Sequence, residues 1–433
     1  MEYNATLHKL RSSDPELKGF NLKYFLNSSG LHRDDFQNEE IMHTFIPPVA
    51  DALKTNTNIS HLTLSFCHLK NKELIDIAEA LQQSKNNCNN LQDLDISDNS
   101  IGDDGFLSIV KAIEENTSLE VLIARRNQIG KGGARGIANF IFSEKKYMLR
   151  KIYEQFIGTE GAIHYSQSLM TQSNLRFLDL SNNPIGDDGI SFLANAIELN
   201  PSMHTLILSS IAISEKGGRK FADSLSRNKT LKVLNLSHNR IGDEGAFAMA
   251  DAIAKNSSLQ RLNLENTFIM NSGSNAIAEG LIKNQTLYNL DLSGNRISFN
   301  GLSSFARALT KNCSLKELMI SRNPLSDRGM NSLAEGLMHN LSLVLLDLDD
   351  TLITSKGVIA LAHAFKHHRT LYRINLSRNQ IDDTGAIALC LSLAGHPSLR
   401  LLTLYNTFLS QKGKMALYEF LGKRSQEFKI FFS

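Results

Sequence analysis

The side chains best suited to chemistry are carboxylates and guanidiniums near the end of the chain. Three aspartates, Asp347, Asp349 and Asp350, lie almost side by side and are expected to come from one strand. Three arginines flank them, Arg322 before and Arg373 and Arg378 after. Carboxylates can hold the basic groups of a partner, and a planar guanidinium binds a carboxylate through two parallel hydrogen bonds. We therefore expect a protein-binding surface here, the alternative being that these Asp and Arg side chains pair with each other across neighbouring strands.

A second set of candidate contact residues lies elsewhere in the chain. It consists of Arg125, Arg126, Phe177, His238 and Tyr405. Protein interfaces concentrate their binding energy in aromatic side chains and arginines, which makes these residues reasonable contacts. The alternative for each is a surface residue without a role.

Patterns that would indicate catalysis or metal binding are missing from the sequence. There is no GxxxxGKS/T, HExxH or GxSxG motif. The cysteines are scattered and show no CxxC spacing: Cys67, Cys88, Cys313 and Cys390. We expect free thiols, no catalytic residues, no metal, no cofactor and no small-molecule substrate, so the chain is predicted not to be an enzyme.

A repeat must position the candidate residues, and residues 231–256, LKVLNLSHNRIGDEGAFAMADAIAKN, represent it best. Alternating leucines predict a short strand, and a glycine-containing turn follows. Apolar residues at steps of three and four then predict one face of a helix. The apolar positions are Leu231, Leu234, Leu236, Ile241, Ala246, Met249, Ala250 and Ile253.

About thirteen copies of this unit follow one another along the chain. From Leu175 onward, their starts are 28 residues apart. The predicted units begin at Ile59, Leu91, Leu119, Leu149, Leu175, Met203, Leu231, Leu259, Leu287, Leu315, Leu343, Leu371 and Leu399. One strand with one helix cannot enclose its own leucines, so copies must stack and bury a continuous core. The outward strand positions are then free for binding.

Polar residues also recur in register and predict structural roles. The turn asparagine, such as Asn239, is expected to satisfy backbone groups of its own unit and the adjacent one. Asn256 stands where a left-handed helix C-cap is expected, and His368 and His396 take the equivalent place later. Acidic pairs such as Asp103 and Asp104 are expected to stabilise helix N-termini.

The spacing LxxLxLxxNxI, followed by IGDEGAxxxAxAI, resembles the leucine-rich-repeat family and its ribonuclease-inhibitor-like subclass. The resemblance covers residues 59–425 and implies an α/β horseshoe-shaped solenoid with a parallel concave sheet and outer helices. Residues 1–58 are predicted to form an N-terminal cap in which Ile46, Pro47 and Pro48 open a helix over residues 49–53. Residues 426–433 are predicted to be a C-terminal cap or tail.

The same resemblance implies a function. Many proteins of this subclass bind a partner protein on the concave face, so a protein-binding scaffold is our first interpretation. The chain also resembles leucine-rich-repeat effectors that intracellular bacterial pathogens deliver into host cells, and its tail EFKIFFS is compatible with a delivery signal. The alternative is a regulator of a small GTPase, because IGDxG repeats also resemble the GTPase-activating protein of Ran. That family usually ends in an acidic tail, and this chain does not.

Charge and hydropathy limit the partners and the compartment. With 46 basic and 44 acidic residues the net charge is +2, which argues against general binding of nucleic acid or anionic membranes. No apolar run is long enough for a membrane span, and no signal peptide is visible. Asn235 and Asn375 head glycosylation sequons inside predicted strands, where a glycan would block stacking. We expect a cytoplasmic location, which for a bacterial effector is the host cytosol.

Overall fold

The structure is a computed structural model. It describes residues 2–31, 39–84, 90–114, 116, 118–142, 151–153, 157–171, 174–421 and 428–432. The chain divides into two compact units, Met1–Ile211 and Ala212–Ser433. We call them the N-terminal unit and the C-terminal unit and describe each by itself.

In the N-terminal unit, each strand is three residues long and runs parallel to the next strand along the chain. The strands are β1 Gly19–Asn21, β2 His61–Thr63, β3 Asp93–Asp95, β4 Val121–Ile123, β5 Lys151–Tyr153, β6 Phe177–Asp179 and β7 Thr205–Ile207. The helices are α1 Glu2–Arg11, α2 Leu22–Ser28, α3 Glu39–Thr55, α4 Asn71–Gln83, α5 Asp103–Ala112, α6 Lys131–Phe142, α7 Gly158–Thr171 and α8 Gly186–Leu199. From α3 onward, consecutive helices pack side by side behind the strands.

The C-terminal unit repeats the same arrangement. Its strands are β8 Val233–Asn235, β9 Arg261–Asn263, β10 Asn289–Asp291, β11 Glu317–Met319, β12 Leu345–Asp347, β13 Arg373–Asn375, β14 Leu401–Thr403 and β15 Lys429–Phe431. Its helices are α9 Glu215–Arg227, α10 Gly242–Lys255, α11 Asn271–Lys283, α12 Phe299–Lys311, α13 Ser326–His339, α14 Ser355–Phe365, α15 Asp383–Leu393 and α16 Gln411–Leu421. Each unit is therefore a stack of strand, turn and helix.

The positions of the strands confirm the predicted repeats. Strands β2 to β14 each begin two residues after a predicted unit start, as β8 does at Val233 after Leu231. Strand β1 extends the sheet before β2, and β15 pairs in parallel with β14. The predicted boundary at residues 425 and 426 lies outside the described residues. We propose that β1 with the preceding helix caps the stack of the N-terminal unit, and that β15 caps the stack of the C-terminal unit.

The core of a repeat lies where the leucine pattern places it. Leu231, Leu234 and Leu236 are each at most 1% exposed, and Met249 and Ile253 on α10 are equally buried. Helix α10 packs between α9 and α11 of the same unit. Burying one leucine side chain contributes about 1.5–3 kcal/mol, so the stacking of repeats supplies most of the stability.

The turn asparagines form the predicted contacts, as Asn295 illustrates. Its Nδ2 donates to the carbonyl of Leu292 in its own turn, at 2.8 Å, and to that of Leu264 in the preceding repeat, at 2.9 Å. Its Oδ1 accepts the N–H groups of Thr267 and Ile269, both at 3.0 Å. The side chain thus satisfies backbone groups that no strand or helix reaches.

The asparagines at the helix ends do not adopt the predicted left-handed conformation. Asn256 is extended, with φ −77° and ψ 133°. Its Nδ2 donates to the carbonyls of Leu225 and Asn228 in the preceding repeat, at 2.7 and 2.9 Å. Its Oδ1 accepts the N–H groups of Ser258 and Leu259. The prediction was wrong because the asparagine links two repeats and leads into the next strand, a role that an extended backbone serves.

The first residue of an acidic pair stabilises a helix other than its own. Asp103, the first residue of α5, accepts the N–H groups of Gly130 and Gly133 at the start of α6, at 2.6 and 3.0 Å. Asp104 beside it is exposed. The predicted contribution to helix N-termini is therefore present, but the hydrogen bonds reach the helix of the next repeat.

We expect replacement of Asp103 by alanine to lower the free energy of unfolding by about 2 kcal/mol, the upper range for loss of an N-cap. The physical reason is that the α6 N–H groups would lose their acceptor. Urea unfolding followed by circular dichroism measures the change. The matched control Asp104→Ala should change stability by about 0.5 kcal/mol or less. Equal losses in both variants would contradict a specific role for Asp103.

Helix α3 differs from the predicted helix over residues 49–53. It begins at Glu39 and continues through Pro47 and Pro48 to Thr55. Each proline removes one backbone donor. The helix persists because Ile46, Val49 and Leu53 are buried on one face, and packing of that face dominates helix stability.

Candidate functional site

The outward positions of the strands, where the sequence predicts partner binding, form one surface of each unit. In β12 and β13 the middle residue is buried while the flanking residues are more exposed. This alternation follows from the two-residue period of a strand. We call the flanking strand residues, with the turn residues that follow them, the strand face of each unit.

Most of the predicted charged residues lie in turns after the strands. Only Asp347 and Arg373 belong to strands, as the last residue of β12 and the first of β13. Arg322, Asp350 and Arg378 have φ values of 52°, 52° and 55°. The expectation that the aspartates share one strand was wrong, because each strand ends after three residues and the chain turns through a left-handed residue.

Asp347 has a structural role in its own repeat. Its Oδ1 accepts the N–H of Asp349 at 3.1 Å and the Nδ2 of Asn375, on the next strand, at 2.9 Å. Burial raises the pKa of Asp347, because desolvation disfavours the charged carboxylate. Removing this side chain would leave polar groups of the turn without their acceptor.

Asp349 pairs with an arginine of the next repeat. It is 8% exposed, and its carboxylate accepts two hydrogen bonds from Arg378, one from Nε to Oδ1 at 2.9 Å and one from a terminal nitrogen to Oδ2. The hydrogen bonds and negative charge of Asp349 raise the pKa of Arg378. The alternative of cross-strand pairing therefore holds for this pair, and Asp349 presents little of its carboxylate to a partner.

Arg322 forms its ion pair with a residue other than Asp347, Asp349 and Asp350. Its guanidinium donates to the carboxylate of Glu265, 57 residues earlier in the chain. Glu265 follows β9 and Arg322 follows β11, so the pair spans the intervening repeat. The sequence analysis did not predict Glu265 as the partner of Arg322. Glu265 lies two repeats and one residue before that arginine.

The structure brings four predicted residues together in one hollow of about 280 Å³. They are Asp349, Arg373, Arg378 and Tyr405, with Asn375, Ser377, Thr403 and Asn406 completing the lining. The ring of Tyr405 stacks on Phe431 of β15, with centroids 6.2 Å apart and planes at 22°. We call this site the C-terminal hollow. Asp350 lies outside its lining and is exposed.

The predicted residues of the N-terminal unit also form cross-strand ion pairs. Arg126 donates to Asp98 at 2.9 Å and, with Phe66, lines a hollow of about 350 Å³. Arg125 lies 3.7 Å from Asp179, the last residue of β6. Phe177 opens the same strand and is half-buried. Both arginines thus have carboxylate partners within the chain.

His238, in the C-terminal unit, is not among the residues that line either hollow. It is exposed in the turn after β8, with φ 58°. Its Nδ1 lies 3.5 Å from Nδ2 of Asn266 in the next repeat. No other predicted site residue contacts it through a hydrogen bond in the described part of the chain.

A larger groove, which the sequence reasoning missed, lies in the C-terminal unit where the turns meet the first residues of α9 and α10. Its volume is about 950 Å³. Residues that line it include Lys216, Lys220, Arg240, Phe268, Met270 and Arg296. We call it the edge groove. The available signal was the recurrence of Arg240, Phe268 and Arg296 at intervals of 28 residues.

Of the three cysteines in the described part of the chain, Cys313 is exposed and the other two are unsuited to nucleophilic chemistry. Cys67 and Cys390 are buried, and burial raises the pKa of their thiols to about 12 and about 11. A thiol with a raised pKa is a weak nucleophile. Among the described residues, no cluster of His, Cys, Asp or Glu could hold a metal ion, and no helix is long and apolar enough to cross a membrane.

Comparison with known proteins identifies the repeats. The Leucine Rich repeat family model matches residues 87–110, 171–194, 227–250, 283–306, 311–334 and 367–390. A chain in the crystal structure of the yeast Rad7 and Elc1 complex is similar, with 17% identity, a TM-score of 0.53, and coverage of 99% of this chain and 93% of that one. An internalin of Listeria monocytogenes is 18% identical with a TM-score of 0.42, covering 74% of this chain and 82% of that one. No curated protein sequence matches the chain.

The repeated strand, turn and helix, together with the exposed strand face, define a solenoid of the α/β class. The chain contains six segments that match the leucine-rich-repeat model, and its fold is that of a leucine-rich-repeat solenoid. Proteins built from such repeats generally act as binding scaffolds, because the stack supplies an extended surface whose residues are not needed for folding.

Proposed function

We propose that this protein is a non-catalytic scaffold that binds a partner protein on the strand face of its C-terminal unit, at the C-terminal hollow. The observation that carries the proposal is the convergence of Arg373, Arg378 and Tyr405 on one hollow. Arginine and tyrosine are, with tryptophan, the side chains enriched at binding hot spots. The partner surface is expected to place carboxylates against the two guanidiniums.

The arrangement of the hollow favours binding with little loss of side-chain entropy. Asp349 fixes the Arg378 guanidinium through two hydrogen bonds, while about half of that side chain stays exposed. Stacking on Phe431 fixes the Tyr405 ring, which is 43% exposed. Arg373 is exposed and forms no ion pair with a described residue. Groups held in their bound geometry before association contribute more net affinity.

The proposal is tested by affinity capture with mass spectrometry, followed by calorimetry with the purified partner. We expect the double variant Arg373→Ala, Tyr405→Ala to weaken binding by at least about a hundredfold, as for two hot-spot residues. Neither side chain is needed to bury the core. The matched control Lys311→Ala removes an exposed cation at the end of α12 and should leave affinity unchanged. Unchanged affinity in the double variant would place the partner elsewhere.

Assays of GTP hydrolysis with the same purified protein distinguish a scaffold from a regulator of a small GTPase. A scaffold should form a stable complex without changing the rate of GTP hydrolysis by any member of a GTPase panel. Stimulated hydrolysis that is lost on replacing one exposed arginine would instead indicate a supplied arginine finger. That result would overturn the scaffold proposal in favour of regulation of a small GTPase.

We also propose that the protein belongs to the ribonuclease-inhibitor-like subclass and acts in the cytoplasm. Helices of 13 and 14 residues in α9 and α10, with the 28-residue period, support the ribonuclease-inhibitor-like subclass. The buried thiols of Cys67 and Cys390 and the strand position of Asn375, which donates to Asp347, support a cytoplasmic location. Action in a host cytosol as a bacterial effector rests on the sequence resemblance. A reporter fused to the chain and assayed for delivery into infected cells tests it.

A further inference from the structure

An aromatic ring between two guanidiniums forms the centre of the edge groove. The Cζ atoms of Arg240 and Arg296 lie 5.9 and 5.2 Å from the ring centroid of Phe268. Both distances are within the range of cation–π attraction. Neither arginine forms an ion pair with a described residue, so the donors of both remain available. The ring therefore orients two arginines, one from the repeat before its own and one from the repeat after, beside one apolar surface.

Apolar side chains are unusually exposed beside these arginines. Phe268 is 44% exposed and Met270, two residues later, is 47% exposed. Phe268 also has φ 63°, a conformation that is costly for a bulky side chain. The volume of about 950 Å³ is at the upper end of the range of about 300–1,000 Å³ for ligand clefts. The groove thus offers an apolar contact and room for a peptide.

The charges that remain available in the groove are mainly positive. Among its acidic residues, Asp243 accepts the N–H groups of Met270 and Gly273, and Glu244 pairs with Arg219 at 2.8 Å. The cations without an ion pair to a described residue are Lys216, Lys220, Arg240 and Arg296, against the carboxylates of Glu215 and Asp223. The complementary ligand is therefore anionic with an apolar side chain.

We propose that the edge groove binds an acidic peptide segment of a partner protein, with one aromatic or aliphatic side chain packed on Phe268 and Met270. Carboxylates of the segment accept hydrogen bonds from Arg240 and Arg296 on either side of that side chain. Guanidinium–carboxylate pairing gives the site its charge preference, and the ring contact distinguishes it from general attraction of anions. This surface is separate from the C-terminal hollow and goes beyond the function proposed above.

The test uses the full chain and the synthetic peptide EEDLWDEE. Because the protein contains no tryptophan, the fluorescence of the peptide reports binding directly. We expect saturable binding, weakened at least about tenfold by Phe268→Asn, which removes the ring but tolerates a positive φ. The double variant Arg240→Gln, Arg296→Gln should lose at least as much. The peptide EEDGSDEE, carrying a fluorophore, should bind at least about tenfold more weakly than EEDLWDEE labelled in the same way.

Two controls keep the outcome decisive. Lys311→Ala, which removes an exposed cation outside both the edge groove and the C-terminal hollow, should leave peptide affinity unchanged. Met270→Ser gives a second route to removing the apolar contact if Phe268→Asn lowers the melting temperature. The inference is overturned if the two labelled peptides bind equally well, which would indicate charge attraction alone. It is also overturned if EEDLWDEE does not bind, or if neither apolar variant weakens binding.

Discussion

Replacement of Asn295 by alanine is expected to lower the free energy of unfolding by about 5 kcal/mol, one of the largest effects available from a single side chain. The variant would leave the N–H groups of Thr267 and Ile269 without their acceptor. It would also remove the donor to the carbonyls of Leu264 and Leu292. Asn295 is 5% exposed, so water cannot readily replace these contacts, and each unsatisfied group costs about 1–3 kcal/mol.

Urea unfolding gives the total loss, and amide hydrogen exchange shows where it occurs. Repeat proteins are stabilised by neighbouring interfaces, so the exchange of Thr267 and Ile269 should accelerate before that of distant repeats. The matched control is Asn266→Gly, in the adjacent turn, because glycine accepts the φ of 52° that Asn266 has. A loss of less than about 1 kcal/mol for Asn295→Ala would show that the turn satisfies its backbone in another way.

The repeating apolar pattern was sufficient to predict the main elements of the fold. Leucines such as Leu231 and Leu234 can be buried only if copies stack, so strands β2 to β14 were predicted. Local exceptions were not predictable by the same rule. Pro47 and Pro48 indicated a helix start, but burial of the α3 face outweighs two missing donors. The conformation of Asn256 depends on carbonyls of another repeat, which its own sequence environment does not specify.

The candidate site was less predictable, because ion pairs depend on which repeat a side chain reaches. Asp349 and Arg378 pair between adjacent repeats, and the sequence could have predicted that. Arg322 instead reaches Glu265 two repeats away, which depends on rotamers rather than on spacing. The edge groove was not predicted either, because partner binding was expected at the strand positions. Arg240 and Phe268 lie instead at the turn position that precedes each helix.

The second prediction with a large expected effect concerns acid stability and His368. This residue takes the place of the helix-end asparagine and is 1% exposed. Its Nδ1 accepts the N–H of Leu371 at 3.3 Å, so the proton of the neutral ring is on Nε2. Nε2 has no hydrogen-bond partner among the described residues. Protonating Nδ1 would break the bond to Leu371 and bury a positive charge.

Burial lowers the pKa of His368 to about 4 from an ordinary value of 6.5. The unfolded chain therefore binds a proton at a higher pH than the folded chain does. This contribution to stability is complete above pH 6.5 and is lost as the pH falls toward 4. A difference of this size corresponds to about 3 kcal/mol.

His368→Asn is expected to remove this part of the acid sensitivity and to raise stability at neutral pH. The equivalent Asn340 donates to the carbonyls of Leu309 and Asn312, so asparagine at position 368 should recover two hydrogen bonds that His368 does not make. Urea unfolding of both proteins between pH 7 and pH 4 measures the difference, with His367→Asn, at the exposed neighbour, as control. Relative to the variant, the wild-type protein should lose about 3 kcal/mol over this range. Parallel pH profiles would show that protonation of His368 costs little free energy. Local opening of its repeat, and not global unfolding, would then expose the ring to protons.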